Sequence, residues 1–411
     1  MTITRSDNRE RQICGCVSRR AFLGSAGAFV AWANLPSFAH AGASDPRLVV
    51  VILRGALDGL AAVPPVGDPD YLSLRGDLAI GAQGMGSVLP LDGFFALNDA
   101  MPLFHRRYLN GEALIFHAAA TPDRSRSHFE GQDILESGYE KALQSYGSGW
   151  LNRAVAALPA GENAQPVGAL AATTTVPLIL RGPAPTFTWT PPIFHAVRAD
   201  TSQRLLDLYT HVDPELARVF RAGLSMDALA GSPEGDPGLP ATNMRDLATG
   251  AARLLAAPDG PRVGVLNFDG WDTHINEGPD EGRLSKTLGG LDVALDALAA
   301  GLKDCWRETV VVVATEFGRT ARENGSDGTD HGTATTAFLL GGSVKGNRVI
   351  ADWPGLKAEQ LYEGRDLLPT LDLRAVFKGV LRDHLGLSER VLAADVFSGS
   401  IGVRPLDDLL A

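Results

Sequence analysis

Five short polar stretches of this chain carry side chains able to bind a cation or attack an ester, and each lies against an apolar run. "LRGALDG" holds Asp58. "RSRSHFEGQDILESG" holds Ser125, Ser127 and His128 at the mouth of a helix. "DGWDTH" holds Asp269, Asp272 and His274. "TEFGRT" holds Glu316, and "GTDHG" holds Asp330 and His331. Carboxylates gathered at one place repel unless something positive sits between them, and one or two divalent cations are the simplest source of that charge. The expected ligands are Asp272, His274 and His331, with Asp58 and Glu316 as further candidates. Mixed imidazole and carboxylate donors suit Zn²⁺ or Mn²⁺, and the oxygen-rich half suits Mg²⁺ or Ca²⁺.

Each residue also has a structural reading. Asp58, in a Gly-flanked turn, serves equally as a turn former. Asp-x-His spacing points two side chains the same way on any extended segment. Glu316 has Arg319 and Arg322 at hand for an ion pair, and Asp330 fits an ordinary loop. Ser127, with Glu130 three residues on, matches a capping box. Its functional reading is a nucleophile at a helix N-terminus, where free N–H groups favour negative charge. Arg124 and Arg126 would then hold a phosphate or sulfate group. His117 lies inside an apolar strand and reads as a satisfied core residue. His105, His195, His211 and His384 lack acidic neighbours in a suggestive pattern.

Positioning such groups together needs a frame. The continuous apolar runs "RLVVVILRG" (47–55), "EALIFHAAA" (112–120), "RVGVLNF" (262–268), "TVVVVAT" (309–315) and "TAFLLGG" (336–342) read as strands covered on both faces. Helical periodicity separates them at 204–229, 284–306 and 371–385. The alternation predicts an α/β domain: a central, mostly parallel sheet with helices on both faces. Residues 140–260, Pro- and Gly-rich in places, read as helices and loops inserted over one end of that sheet. Ligands of open parallel sheets bind beyond the carboxyl ends of strands, where the five polar stretches would lie.

With 411 residues, 45% hydrophobic, the chain has material for a large core. A net charge of −11 without a basic block argues against nucleic acid as a partner. "SRRAFLGSAGAFVAWANLPSFAHA", with paired Arg19 and Arg20 and a small-residue site at Ala39-His40-Ala41, predicts a twin-arginine signal over residues 1–41. Its apolar run is too short for a stable membrane anchor. The expectation is a protein exported folded by the twin-arginine machinery to the periplasm or beyond. The mature domain, 42–411, keeps Cys305 alone, so no intramolecular disulfide forms.

"LRGALDGL", "RSHFEGQDILESG", "GWDTH", "TEFGRT", "DHGTATTAFLLGG" and "DLLPTLDLRAVF" together resemble the bacterial domain-of-unknown-function family 1501 along nearly all of the mature chain. That family looks like a branch of the alkaline phosphatase and sulfatase superfamily. The resemblance implies an alkaline-phosphatase-like fold, one or two divalent metals and a hydroxyl or modified Cys nucleophile. It places a metal-bridging acid at Asp58, the nucleophile at Ser127, a ligand pair at Asp272 and His274, and the last histidine ligand at His331. Glu316-Phe317-Gly318 falls where the superfamily has Asp-His-Gly; Asp330-His331-Gly332 is the alternative alignment, although no strand runs into Asp330. The chain departs from the pattern at Phe317, which cannot bind a metal, and in the Asp272–His274 spacing, which leaves Asp269 as an alternative acid. Two readings follow: a metal-dependent hydrolase of phosphate or sulfate esters, with Ser127 attacking and Arg126 beside it, or a catalytically degenerate binding or assembly protein of the envelope.

Overall fold

A computed structural model describes residues 45–411 apart from 82–83, 85, 144–145, 159–167, 192–198, 231–239 and 259. The predicted export signal with Cys14 and Cys16, and His195, lie outside the described residues. The strands are β1 (Arg47–Arg54), β2 (Val88–Pro90), β3 (Ala96–Asn98), β4 (Ala113–Ala120), β5 (Ala169–Ala172), β6 (Thr186–Thr188), β7 (Val263–Asp269), β8 (Thr309–Thr315), β9 (Thr335–Gly341), β10 (Arg348–Ile350) and β11 (Leu371–Asp372). Nine of them form one sheet in the order β10-β4-β9-β8-β1-β7-β5-β6, with β11 beside β4. All neighbours are parallel except β9, which runs antiparallel to both β8 and β4.

The mostly parallel sheet is covered on both faces, as the apolar runs predict. Along β1, Val49, Val51 and Leu53 enter one core with Phe104, Leu255, Leu288 and Leu291 of helices Pro102–Leu109, Pro240–Ala256 and Arg283–Gly301. The alternate residues Leu48, Val50 and Ile52 enter the other core with Leu135, Trp150, Val376 and Phe377 of helices His128–Ser137, Trp150–Ala157 and Leu373–Leu385. The period of two along a strand thus divides one apolar run between two cores.

Two expectations change. Residues 140–260 do not simply lie over one end of the sheet. They supply its last two strands at one side, β5 pairing with β7 and β6 forming the edge. The alanine-rich ALAA of β5 is too short for its pattern to announce a strand. The helix expected over 204–229 is two, Ala199–Val212 and Pro214–Ala230. Pro214 cannot donate to the preceding turn, and Asp213 restarts the helix by accepting from the Leu216 N–H at 3.0 Å. Among the described residues no helix is long and apolar enough to cross a membrane.

His117 is a core residue held neutral. Its Nε2–H donates to the Val63 carbonyl at 2.9 Å, and its Nδ1 accepts from the Ala118 N–H at 2.8 Å. The ring stacks on Phe95 at 5.1 Å. Burial pushes its pKa down to about 4. The unfolded chain binds that proton near pH 6.5 and the folded chain does not. Stability attributable to His117 is therefore complete above pH 6.5 and is lost as pH falls toward 4, by about 3 kcal/mol. Denaturant titrations across this window should show the parent losing about 3 kcal/mol more stability between pH 6.5 and pH 4 than His117→Gln does.

Candidate metal centre

The direction of β9 creates the centre. β1, β4, β7 and β8 all end at one edge of the sheet, and antiparallel β9 begins there. The β8–β9 loop therefore leaves and re-enters at the edge where the turns after β1, β4 and β7 lie. Glu316 starts that loop and His331 stands near its end.

His128, Asp272 and His331 each present one ligand atom, all within 4.8 Å of one another. His128 Nε2 lies 3.5 Å from Asp272 Oδ2, and His331 Nε2 lies 3.3 Å from Asp272 Oδ1. His274 adjoins them, its Nε2 3.0 Å from His331 Nε2 and 3.1 Å from Asp272 Oδ1. On its far side His274 Nδ1 meets Asp330 Oδ1 at 3.2 Å. Three imidazoles and one carboxylate thus converge.

Ring orientation is set from behind. His331 Nδ1 must donate to the Arg126 carbonyl, 2.9 Å away, so in the neutral ring Nε2 carries the lone pair and faces the cluster. Arg126 adopts φ +58°, a left-handed conformation that a non-Gly residue adopts at some cost, and its carbonyl meets His331 in it. His128 Nδ1 lies 2.8 Å from Glu316 Oε1, which leaves Nε2 buried and without a hydrogen-bond partner. Phe317 packs against both rings, 5.0 Å from His128 and 5.2 Å from His331.

Glu316 stands one layer behind the ligands. It is fully buried, and its carboxylate accepts from the Gly55 N–H (2.9 Å), His128, Gln132 Nε2 (3.2 Å) and Thr315 Oγ1 (3.0 Å). Burial pushes its carboxyl up, but the His128 bond and the other donors outweigh this and hold it below its ordinary value. In return the Glu316 bond raises the His128 imidazole against the opposing effect of burial. His331 shifts the other way: burial lowers it, partly countered by the Arg126 carbonyl and reinforced by the His128 and Arg319 charges. Asp272, raised by burial, is brought below its ordinary value by Arg319, whose Nη1 donates to Oδ1 at 2.8 Å.

The remaining expected residues are placed differently. Asp58 caps the short helix Gly59–Ala62, accepting from the N–H groups of Leu60 (2.9 Å) and Ala61 (3.2 Å). Its second oxygen takes Arg75 Nη2 at 2.6 Å, with both side chains buried. Those partners occupy its carboxylate away from the three-residue cluster. Ser127 precedes the helix His128–Ser137, yet its hydroxyl makes no capping bond, so the capping box does not form. The Arg126 guanidinium is committed to acids, Nε to Asp366 at 2.8 Å and Nη2 to Glu363 at 2.6 Å. Asp269, at the end of β7, is exposed, and it is Asp272 that joins the cluster. His128 was legible only as a residue at a helix mouth. Its neighbour Ser127 drew the chemical reading, and nothing local reveals that the ring turns toward β8.

No curated protein matches the chain. Solved structures that resemble it include Ps i-CgsB in complex with k-i-k-neocarrahexaose, at 10% identity and TM-score 0.39, covering 88% of this chain and 77% of that one. The phosphonate monoester hydrolase of Agrobacterium radiobacter aligns at 12% identity and TM-score 0.37, covering 83% and 74%. A TAB5 alkaline phosphatase mutant with Mg bound aligns at 11% identity and TM-score 0.33, covering 72% and 92%. A family model matches residues 112–396, well over half of the sequence, and the chain belongs to that family, described as "Protein of unknown function (DUF1501)".

Proposed function

We propose that the chain is an exported protein whose sheet-edge centre binds a divalent metal and serves hydrolysis of a phosphate or sulfate ester. The observation that carries the metal is His128 Nε2, a buried nitrogen that makes no hydrogen bond, standing 3.5 Å from Asp272 Oδ2 and grouped with His331 while Glu316 holds the opposite nitrogen. A carboxylate behind a ligating imidazole is the usual arrangement for fixing ring orientation and raising ligand basicity. His128, Asp272 and His331 would hold the ion, with His274 alongside; Glu316 stands behind His128, and Asp58, taken up by Arg75, lies outside the ligand set. A bound Zn²⁺, Mn²⁺, Mg²⁺ or Ca²⁺ would supply the positive charge that an ester's oxygens need at reaction.

The chain's own groups complete the proposal. Ser127 is the nucleophile: its half-buried hydroxyl, unused by the helix cap, stands next in sequence to His128. Attack at phosphorus or sulfur would form a covalent ester with Ser127 and release the alcohol, and water would then hydrolyse that ester. Arg126 contributes to ring placement through its carbonyl. The second reading, a metal-binding envelope protein without turnover, is favoured by the pairing of Arg126 with Asp366 and Glu363, which neutralises the cation expected to hold the ester anion.

Elemental analysis of natively purified protein should find a divalent ion, and calorimetric titration of stripped protein should restore it. His128→Ala and His331→Ala should each weaken that binding at least about tenfold, as should Glu316→Gln from behind. Absence of metal, with no thermal shift on adding any, removes the proposal. A screen of phosphate mono- and diesters and sulfate esters should show turnover that Ser127→Ala abolishes while keeping its metal; turnover surviving in Ser127→Ala excludes this nucleophile, and none in the parent favours the binding protein. Replacing Arg19 and Arg20 by Lys should leave the protein in the cytoplasm, and unchanged export in a fractionation assay would refute the signal.

A further inference from the structure

The buried carboxyl of Glu277 joins the two loops that carry the centre, and the metal chemistry does not use it. Its side chain is fully buried. Oε2 accepts from Thr273 Oγ1 at 3.1 Å and from Thr329 Oγ1 at 2.6 Å. Thr273 stands between Asp272 and His274, and Thr329 stands two residues before His331. Thr329 in turn holds Arg319, through its hydroxyl to Nε at 3.1 Å and its carbonyl to Nη2 at 2.7 Å. Arg319 then reaches Asp272 Oδ1. The backbones meet as well: Thr329 N–H donates to the Thr273 carbonyl at 3.1 Å, and Glu277 N–H to the Asp327 carbonyl at 2.7 Å. At Gly328 a Cβ would lie 2.5 Å from the His274 carbonyl, so the loops touch without room for a side chain.

Behind Glu277 lie Asp58 and Arg75. Arg75 Nη2 is 2.6 Å from Asp58 and 3.7 Å from Glu277 Oε1. Two buried acids share one cation, which disfavours ionising both at once. Burial, then the Asp58 charge, keeps Glu277 well above the ordinary carboxyl range, while Arg75 helps hold Asp58 below it. Glu277 Oε1 meets no N–H or O–H donor, and the hydrogen bond between the Glu277 and Asp58 carboxyls raises the first and lowers the second. Glu277 is then a neutral acid whose Oε2 acts as a plain acceptor.

We propose that Glu277 is a positioning residue for the metal centre, fixing the Asp272–His274 turn against the loop that carries His331 and, through Thr329 and Arg319, aiming the Asp272 carboxylate. This rests on the reading that His128, Asp272 and His331 bind a divalent ion. Because the role needs an acceptor and not a charge, glutamine can fill it and leucine cannot.

The test is a Co²⁺ titration of the stripped full chain, read as dissociation constant and as the visible absorption band, which reports ligand geometry. Glu277→Gln should stay within about threefold of the parent with the same band. Glu277→Leu should bind about 10- to 100-fold more weakly with an altered band, the range seen when outer partners of metal ligands are removed. Thr273→Val, which deletes one donor and keeps Arg319 on Thr329, should weaken binding in the same direction and decides the matter if the Leu variant does not fold. A parent that binds no Co²⁺ overturns the metal reading and this proposal with it. A parent that binds, with Thr273→Val and Glu277→Leu binding equally well, overturns the positioning role and leaves the metal reading intact. Loss of binding in Glu277→Gln equal to that in Glu277→Leu refutes the neutral-acceptor role.

Discussion

Everything at the candidate centre depends on the direction of one strand. β9 lies between β8 and β4 and runs against both. Had it run parallel, the connection after β8 would have crossed the sheet and delivered His331 to the opposite edge. Running antiparallel, it lets a single loop start with Glu316 and end near His331 at the carboxyl ends of β1, β4, β7 and β8. The fully buried strands on either side leave β9 no freedom of register, because a slip of one residue would turn Phe338 and Leu340 from one core into the other.

Such an edge gathers acidic groups, and burial makes each unpaired charge costly. Two buried arginines answer this separately. Arg75 lies between Asp58 and Glu277, and Arg319 binds Asp272. Glu316 is treated differently: it is dispersed over donors from the turn after β1, from β8 and from the helix His128–Ser137. The outcome is layered. Imidazoles and one carboxylate face inward, a carboxylate and a backbone carbonyl set their rings, and the neighbouring ion pairs hold the loops that carry them. Phe317, which breaks the expected ligand pattern, has a place in this order as the apolar wall on which His128 and His331 rest.

Much of the frame was legible from local pattern. The continuous β-branched runs announced strands buried on both faces, and the leucine stripe at 284–306 announced the helix Arg283–Gly301. Both are short-range properties, decided by side chains a few residues apart. The short strand β5 and the break at Asp213–Pro214 were less visible, since ALAA has no distinguishing period and one proline competes with a long helical pattern.

The sequence by itself determined that polar residues cluster at strand ends and that imidazoles and carboxylates are among them. Only the tertiary structure decided which of them meet. Asp58 and Arg75 are 17 residues apart, Arg319 and Asp272 are 47 apart, and His128 and Glu316 are 188 apart. Each pairing depends on strand order and direction, which no local pattern encodes. For that reason Asp58, read as a ligand, is held by Arg75, Glu316 stands behind His128, and His128 faces Asp272 and His331. An ionisable group at a strand end has several partners within reach in composition, and three-dimensional packing leaves it one set.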